Sequence, residues 1–133
     1  MRDADHAEYG ADPETALITP AHCELPEAGA PRIVGKQRVR LTKGSRVAEV
    51  YGATAAFEEF RCSNELNRRY QPLFEQSDLR VTGFGDEGEA RVVELTGHRF
   101  FLGTLYLPQN AALDGESHPL IDAFVRAVVE ARR

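Results

Sequence analysis

The residues best suited to nucleophilic or metal chemistry are two cysteines and four histidines. His22 and Cys23 are adjacent, and adjacent side chains on an extended chain point to opposite sides, so they do not form a catalytic dyad without an unusual turn. Neither Cys23 nor Cys62 has the flanking glycines of a nucleophile elbow, the strained turn that exposes a catalytic side chain. The sequence therefore favours packing roles for both thiols.

Metal binding has equally little support in the spacing of the potential ligands. Zinc sites commonly use pairs such as C-x-x-C or H-x-x-x-H, in which two ligands lie close together along the chain. No such pair occurs among His6, His22, Cys23, Cys62 and His98. We therefore predict no metal and no other cofactor, and we expect both cysteines to be reduced thiols in a cytoplasmic protein.

The composition is typical of one globular domain, with 133 residues, 42% of them hydrophobic and 28% charged. The net charge is -5, and the basic residues are scattered instead of forming a patch, which argues against nucleic-acid binding. No apolar stretch approaches the roughly 20 residues that span a bilayer, and the acidic start does not resemble a signal peptide. We predict a single domain over residues 1–133, with a loop-rich arm (1–36), an α/β core (37–133) and a cytoplasmic location.

Hydrophobic periodicity and turn residues predict the elements of the core. A half-buried strand is expected first, followed by a short capped helix, a second strand, a helix interrupted by Pro72, and a β-hairpin around Gly-Asp-Glu-Gly. Their predicted positions are Gln37–Leu41, Gly44–Gly52, Ala53–Phe60, the apolar positions Leu66, Tyr70, Leu73 and Phe74, and the hairpin Leu79–Phe84 with Ala90–Leu95.

The two most apolar segments lie near the C-terminus. Phe100 to Leu107 is a nearly continuous apolar run, which predicts the central strand of a sheet covered on both faces. A final helix is predicted after Ser117 or His118, and its apolar stripe is expected to pack in the core. His98 and His118 are assigned turn and capping roles. The stripe consists of Leu120, Ile121, Phe124, Val125, Val128 and Val129.

Several short motifs, read in order, resemble the C-terminal region of the CTP-synthase-type class I glutamine amidotransferases. The resemblance spans nearly the whole chain, and it implies a partial amidotransferase-like (flavodoxin-like) α/β sheet with flanking helices and a β-hairpin. The motifs are residues 3–9 (Asp-Ala-Asp-His-Ala-Glu-Tyr), 40–41, 43–45, 50–52, 65–67, the hairpin Gly83–Gly88, 93–95, 97–101 and 118–121.

Two departures from the family pattern bear on catalysis. The resemblance places the family's Gln-Phe-His-Pro-Glu motif, with its general base and orienting acid, at residues 105–109. Here Leu107 and Gln109 stand in the base and acid positions, and neither side chain can do that work, although Pro108 is retained. The family's cysteine elbow also has no counterpart in this chain. We therefore expect no glutaminase activity by a Cys-His-Glu triad.

Amino-acid binding could persist without catalysis. The resemblance places Glu8 where the family has an acid that contacts the amino group of glutamine, and it matches Arg61 to one of three arginines that grip the α-carboxylate. Glu59 and Ser63 occupy the other two arginine positions, which weakens the anion site. The candidate ligand-binding residues are Glu8, Glu58, Arg61, Tyr106 and Gln109.

The resemblance begins partway into the family's domain, so strands that cover the apolar run in relatives have no counterpart here. An uncovered apolar strand is an aggregation hazard, which predicts a homodimer or a partner chain that completes the sheet. The leading hypothesis is a catalytically degenerate domain that binds an amino-acid-like ligand or a protein. The alternative is a small-molecule enzyme that uses a remodelled pocket. A split glutaminase is disfavoured because Leu107 still leaves it without a base.

Overall fold

A computed structural model describes residues 4–21 and 31–132. Within these residues the chain forms seven β-strands, four α-helices and two single 3-10 turns, Ala7–Tyr9 and Arg68–Tyr70. The strands are β1 (Ile18–Pro20), β2 (Ile33–Leu41), β3 (Ala55–Cys62), β4 (Asn64–Leu66), β5 (Leu79–Phe84), β6 (Ala90–Leu95) and β7 (Leu102–Thr104). The helices are α1 (Arg46–Tyr51), α2 (Gln71–Glu75), α3 (Asn110–Leu113) and α4 (Pro119–Ala131).

The main sheet has five strands in the order β3-β2-β5-β6-β7, and every neighbouring pair is antiparallel. The chain after β7 runs back along the opposite edge, where the Leu107 amide donates to the Glu59 carbonyl at 3.0 Å. This contact curls the sheet so that its two edges approach each other. A smaller antiparallel sheet pairs β1 with β4. The α/β fold class is therefore confirmed, with an antiparallel sheet.

The predicted hairpin is confirmed, and glycines explain its tight turn. Gly88 has a φ of +86°, a conformation that side chains with a Cβ rarely adopt. Gly85 leaves room for the carboxylate of Glu89, which a Cβ at that position would overlap. The Gly85 amide donates to the Glu89 carbonyl at 2.9 Å and closes the loop. The turn thus carries a buried carboxylate, Glu89, immediately before the start of β6.

The predicted first helix is also confirmed, and both of its ends are capped. The Ser45 hydroxyl accepts from the Ala48 amide at 3.2 Å, and Gly52 ends the helix with a φ of +63°. The buried Glu94 carboxylate accepts from the amides of residues 46 and 47 at 3.4 and 3.3 Å. Because this carboxylate comes from β6, it fixes the start of α1 against the sheet.

The prediction of a central strand over Phe100–Leu107, covered on both faces, is wrong. Only Leu102–Thr104 forms a strand, and this strand is antiparallel to β6 at the edge of the sheet. After Thr104 the chain leaves the edge, and Tyr106 turns into the interior, where it is 2% exposed. Part of the apolar run therefore packs in the interior of the curled sheet after the strand has ended. A sequence pattern does not distinguish this arrangement from a strand covered on both faces.

The assignment of the whole α4 stripe to the core is wrong as well. Of the six residues of the stripe only Leu120 is buried, beside the buried Ala123, and the other five are between 39% and 53% exposed. The helix contacts α1 and the core through its Leu120 and Ala123 side. No described part of the chain covers the opposite side. These five residues are Ile121, Phe124, Val125, Val128 and Val129.

Smaller differences concern element boundaries. The first strand of the predicted core begins at Ile33, four residues before Gln37, within the predicted arm. The helix expected around Leu66 is shorter than predicted, because Leu66 belongs to β4 and Pro72 lies in the first turn of α2. His22 and Cys23 lie outside the described residues. Among the described helices, none has the length and apolar character needed to cross a membrane.

Candidate functional site

Two of the predicted site residues, Glu58 and Tyr106, meet in the interior together with Tyr51 and His118. The Tyr51 hydroxyl lies 2.6 Å from Glu58 Oε1 and 3.1 Å from the Tyr106 hydroxyl. His118 Nε2 lies 3.1 Å from Glu58 Oε2. We call these four residues the Glu58 network. It joins the C-terminal end of α1, the middle of β3, the segment after β7 and the start of α4.

The hydrogen bonds define the protonation of His118. Its Nδ1 accepts from the Leu120 amide at 3.2 Å and so caps α4, as the sequence predicted. A nitrogen that accepts this bond carries no proton, so the ring proton lies on Nε2 and is donated to Glu58. The Glu58 carboxylate therefore accepts from an imidazole and from the Tyr51 phenol. Both ring nitrogens of His118 are committed to structural bonds.

The two tyrosines act as donors because they keep their protons. Burial, together with the nearby Tyr106 and the bond to Glu58, raises the pKa of Tyr51 far above its ordinary value. Burial likewise raises the pKa of Tyr106 well above its usual range, against a smaller lowering by its bond to Tyr51. Since Tyr51 gives its proton to Glu58, Tyr106 is the donor in the bond between the two phenols. The network holds its protons in place instead of releasing one to a substrate.

A second buried group, which we call the Arg91 cluster, consists of Arg91, Glu65 and Glu89. Arg91 Nη2 lies 2.7 Å from Glu89 Oε1, and Nη1 lies 3.4 Å from Glu65 Oε2. The Arg91 and Glu65 side chains are each 4% exposed. The guanidinium also stacks on the Phe60 ring at 5.3 Å, while its Nε has no hydrogen-bond partner among the described residues. This cluster ties β6 to β4 and to the hairpin turn.

The remaining predicted site residues do not join the Glu58 network. Arg61 is exposed on β3, and because strand side chains alternate, it points to the opposite side from Glu58. Glu8 is exposed in the first 3-10 turn, and Gln109 is exposed at the start of α3. Leu107 is half-buried, and its amide is held by β3. The five main cavities of the described surface are lined by other residues.

Cys62 is the one cysteine within the described residues, and its surroundings are those of a packed thiol. Its Sγ donates to the Leu105 carbonyl at 2.7 Å. Burial raises the pKa of this thiol, although the Arg61 backbone and the Arg91 charge lower it to a smaller extent. Burial therefore disfavours the reactive thiolate. The described part of the chain also contains no group of three potential metal ligands.

The sequence interpretation missed the polar roles of Tyr51 and His118 and the whole Arg91 cluster. The sequence analysis gives Tyr51 no polar role and His118 a capping role only, whereas the Tyr51 hydroxyl contacts Glu58 and Tyr106 and His118 Nε2 contacts Glu58. A usable signal was present, since a buried tyrosine hydroxyl requires a partner and a capping histidine has a second nitrogen. Arg91 lies within the apolar strand Ala90–Leu95, which indicates a buried charge that requires partners.

Comparison with known proteins shows that the chain is similar to part of the CTP synthases. No family model matches it. CTP synthases from Phenylobacterium zucineum (strain HLK1) and Gluconacetobacter diazotrophicus are 31% and 34% identical over its full length. The chain spans about a quarter (26%) of these relatives, within their C-terminal region. Among solved structures, the glutaminase domain of a Trypanosoma brucei CTP synthase with bound acivicin has a TM-score of 0.82 at 21% identity, over 97% of this chain and 52% of that one.

Proposed function

Because the chain is related to the C-terminal region of CTP synthases and has the class I glutamine amidotransferase fold, we propose that it is a catalytically degenerate domain of this type. In this proposal it acts by binding a protein partner or a small amino-acid-like ligand, and it does not hydrolyse glutamine. The observation that carries the proposal is the chemistry at residues 107 and 109. A hydrocarbon and a neutral amide occupy the positions that the family resemblance assigns to a general base and its orienting acid.

The surroundings of these two residues support the proposal. Leu107 is held by its amide to the Glu59 carbonyl, so its backbone is fixed beside β3. Gln109 is exposed and makes no side-chain cap at the start of α3. Neither residue contacts an imidazole or a thiol among the described hydrogen bonds. Neither side chain can take a proton from a water molecule.

The other possible catalytic groups are committed elsewhere. His118 uses Nδ1 to cap α4 and Nε2 to bind Glu58, so it has no nitrogen left to accept a proton from a nucleophile. Cys62 donates to a backbone carbonyl, and its raised pKa keeps it a thiol. No described hydrogen bond joins a histidine to this thiol. These arrangements support a binding role over a repurposed hydrolytic one.

Of the two binding roles, the geometry favours the protein partner. Glu58 and Tyr106 are closed into the Glu58 network, which leaves Glu8 and Arg61 as the exposed charges for an amino-acid-like ligand. Two exposed charges form a weak site, because solvent screens them. The exposed apolar side of α4, by contrast, is a surface of the kind that marks protein interaction.

A glutaminase assay tests the absence of catalysis. We expect the purified chain to release no ammonia from glutamine above the buffer background, since the described residues supply no thiolate and the family's base position is Leu107. The matched variant is Cys62→Ala, which removes the described thiol without removing a charge. Ammonia release by the parent chain that Cys62→Ala abolishes would contradict the proposal. Release that persists in this variant points to Cys23 and contradicts it equally.

A thermal-shift screen of amino acids separates the two binding roles. A ligand bound by Glu8 and Arg61 raises the melting temperature, and the shift disappears in Arg61→Ala. Arg38→Ala is the matched control, because Arg38 is exposed on the same side of the sheet as Arg61. We expect no shift with glutamine, in keeping with the favoured partner role. A shift that only Arg61→Ala removes would establish the ligand role instead.

A further inference from the structure

Helices α1 and α4 pack against each other, and a groove of about 360 Å³ lies between them. Its apolar lining consists of the buried Ala123 and three partly buried residues, Val50, Phe100 and Ala127. Its polar lining consists of five charged residues, all of them exposed: Arg46, Glu49, Arg99, Arg126 and Glu130. We call this cavity the α1–α4 groove. Its size is in the range of small-molecule sites, which begins at about 300 Å³.

The three arginines of the groove come from three separate elements. Arg46 is the first residue of α1, Arg126 lies in the middle of α4, and Arg99 belongs to the loop between β6 and β7. Residues three and four positions apart share one side of a helix, so Arg126 lies on the same side of α4 as Ala123 and Ala127. The fold therefore brings three arginines that are distant in the sequence to one cavity.

These arginines have no partner for their charge in the described part of the chain. None of their guanidinium groups forms a hydrogen bond or an ion pair with residues 4–21 or 31–132. By contrast, Arg68 and Arg91 line a different cavity, and both are paired with carboxylates. The groove also has three cations against two carboxylates, although the net charge of the chain is -5. A locally positive groove with uncommitted donors favours an anionic ligand.

We infer that the α1–α4 groove binds a small phosphate monoester, whose phosphate group lies on the three arginines. A guanidinium presents a planar fork of N–H donors that matches two oxygens of a phosphate group. A phosphate monoester carries about 1.5 to 2 negative charges at pH 7 and three acceptor oxygens, so it can bind more than one arginine at once. A carboxylate has one charge and two oxygens and satisfies three arginines less well. Neither Glu8 nor Arg61 lines the groove, so this inference goes beyond the proposed function.

The two carboxylates of the groove restrict the rest of the ligand. Glu49 and Glu130 accept hydrogen bonds from hydroxyl groups and repel further negative charge. They therefore favour an ester with a hydroxylated body, such as a sugar phosphate, and disfavour a polyphosphate or a nucleic acid. The backbone amides at the start of α1 make no contribution, because those of residues 46 and 47 already bind the Glu94 carboxylate. The affinity thus depends on side chains, which substitutions can remove.

Isothermal titration calorimetry of the full chain with inorganic phosphate, at constant chloride concentration, tests the role of the arginines. We expect one bound phosphate per chain with a dissociation constant of about 1 mM. Arg46→Ala, Arg99→Ala and Arg126→Ala should each weaken binding about tenfold, because each removes charge-assisted hydrogen bonds. Arg38→Ala is the matched control, since Arg38 is also exposed and lines a different cavity. It should change the dissociation constant less than about twofold.

A comparison of two esters tests the role of the carboxylates. Glucose 6-phosphate and methyl phosphate carry the same charged group, but only the first has hydroxyl groups. We expect glucose 6-phosphate to bind about fivefold more tightly, and the double variant Glu49→Ala/Glu130→Ala to remove this difference. Circular dichroism and thermal unfolding check that every variant is folded, so that a lost signal reports lost binding.

Four results overturn the inference: no phosphate binding up to about 20 mM, binding that Arg99→Ala and Arg126→Ala leave intact, an equal loss in Arg38→Ala, or no preference for glucose 6-phosphate. Lipid headgroups also carry phosphate monoesters, and vesicles that contain a phosphatidylinositol phosphate test that source. Sedimentation with these vesicles that glucose 6-phosphate does not reverse contradicts the inference as well, because the ligand is then not a small ester. The glutaminase assay is independent of these results, so a chain that binds no phosphate and releases no ammonia refutes only the phosphate site.

Discussion

The Glu58 network and the Arg91 cluster solve the same problem, a carboxylate in the protein interior, by different means. In the Arg91 cluster a guanidinium lies between two carboxylates at 2.7 and 3.4 Å. In the Glu58 network the described partners of the carboxylate are a phenol and an imidazole, at 2.6 and 3.1 Å, and His118 is neutral in its capping role. The carboxylates of Glu65 and Glu89 are therefore balanced by a positive charge. The carboxylate of Glu58 is held by hydrogen bonds from neutral donors.

This difference teaches which changes each site tolerates. Arg91 is the buried cation that Glu65 and Glu89 share, so its loss leaves two buried carboxylates without that charge, although Glu89 keeps weaker contacts to the Glu87 amide and Arg68. A charge held by several neutral donors depends on no single one, so the loss of a donor costs about one hydrogen bond. A substitution of Arg91 is thus expected to lower the free energy of unfolding strongly, whereas a substitution in the Glu58 network lowers it by about one hydrogen bond. Neither arrangement leaves a group free for catalysis.

The largest effect is expected for Arg91→Met, which keeps the length of the side chain and removes its charge. Glu65 and Glu89 then lose the guanidinium that balances them, although Arg68 remains 3.8 Å from Glu89. We expect the free energy of unfolding to fall by about 3–5 kcal/mol, as measured by urea denaturation. Arg68→Met is the control on the exposed side of the same group, with a loss of under about 1 kcal/mol. Equal losses in the two variants would remove the distinction between the two sites.

An intermediate effect is expected for Glu58→Gln. The amide keeps one acceptor oxygen, but its NH₂ group faces a second donor, from either Tyr51 or His118. One buried bond becomes a mismatch, which lowers the free energy of unfolding by about 2 kcal/mol. Glu59→Gln on the exposed side of β3 is the matched control, with a change below about 0.5 kcal/mol. A loss as large as that of Arg91→Met would show that Glu58 is balanced by charge after all.

Local signals in the sequence predicted much of the fold. The capped helix α1, the hairpin of β5 and β6 and the cap of α4 follow from nearby residues such as Ser45, Gly52, Gly88 and His118, and each is confirmed. The burial of apolar segments depends instead on the arrangement of the whole chain. For that reason the central strand at Phe100–Leu107 and the burial of the whole apolar stripe of α4 are predicted wrongly.

The candidate site was predictable only in part, for a related reason. Glu58 and Tyr106 were singled out from the family resemblance, and the structure brings these two together. Arg61 falls on the other side of β3 because of strand alternation, which a motif does not report until the strand is placed. Tyr51 lies on α1 and Glu58 on β3, so the spacing of the two residues in the sequence does not predict that they are in contact. Their pairing depends on the curl of the sheet.

The smallest effect is expected for Tyr106→Phe, which removes one donor at 3.1 Å from a side chain that is 2% exposed. At pH 7 we expect a loss of about 1 kcal/mol in the free energy of unfolding.

The pH dependence of this loss is the sharper measurement. Burial raises the pKa of Tyr106, so the folded chain keeps this proton at a pH where the unfolded chain, with tyrosines near about 10, has lost it. The resulting stability is complete below about pH 10 and declines above it, by at most about 1.4 kcal/mol per pH unit. The pKa of Tyr51 is also raised, first by burial, so Tyr51 adds a slope of the same sign that is retained in Tyr106→Phe. Urea denaturation between about pH 8 and 11 should therefore show the parent chain losing stability faster than Tyr106→Phe, and parallel curves would mean that the Glu58 network does not hold this phenol in its protonated form.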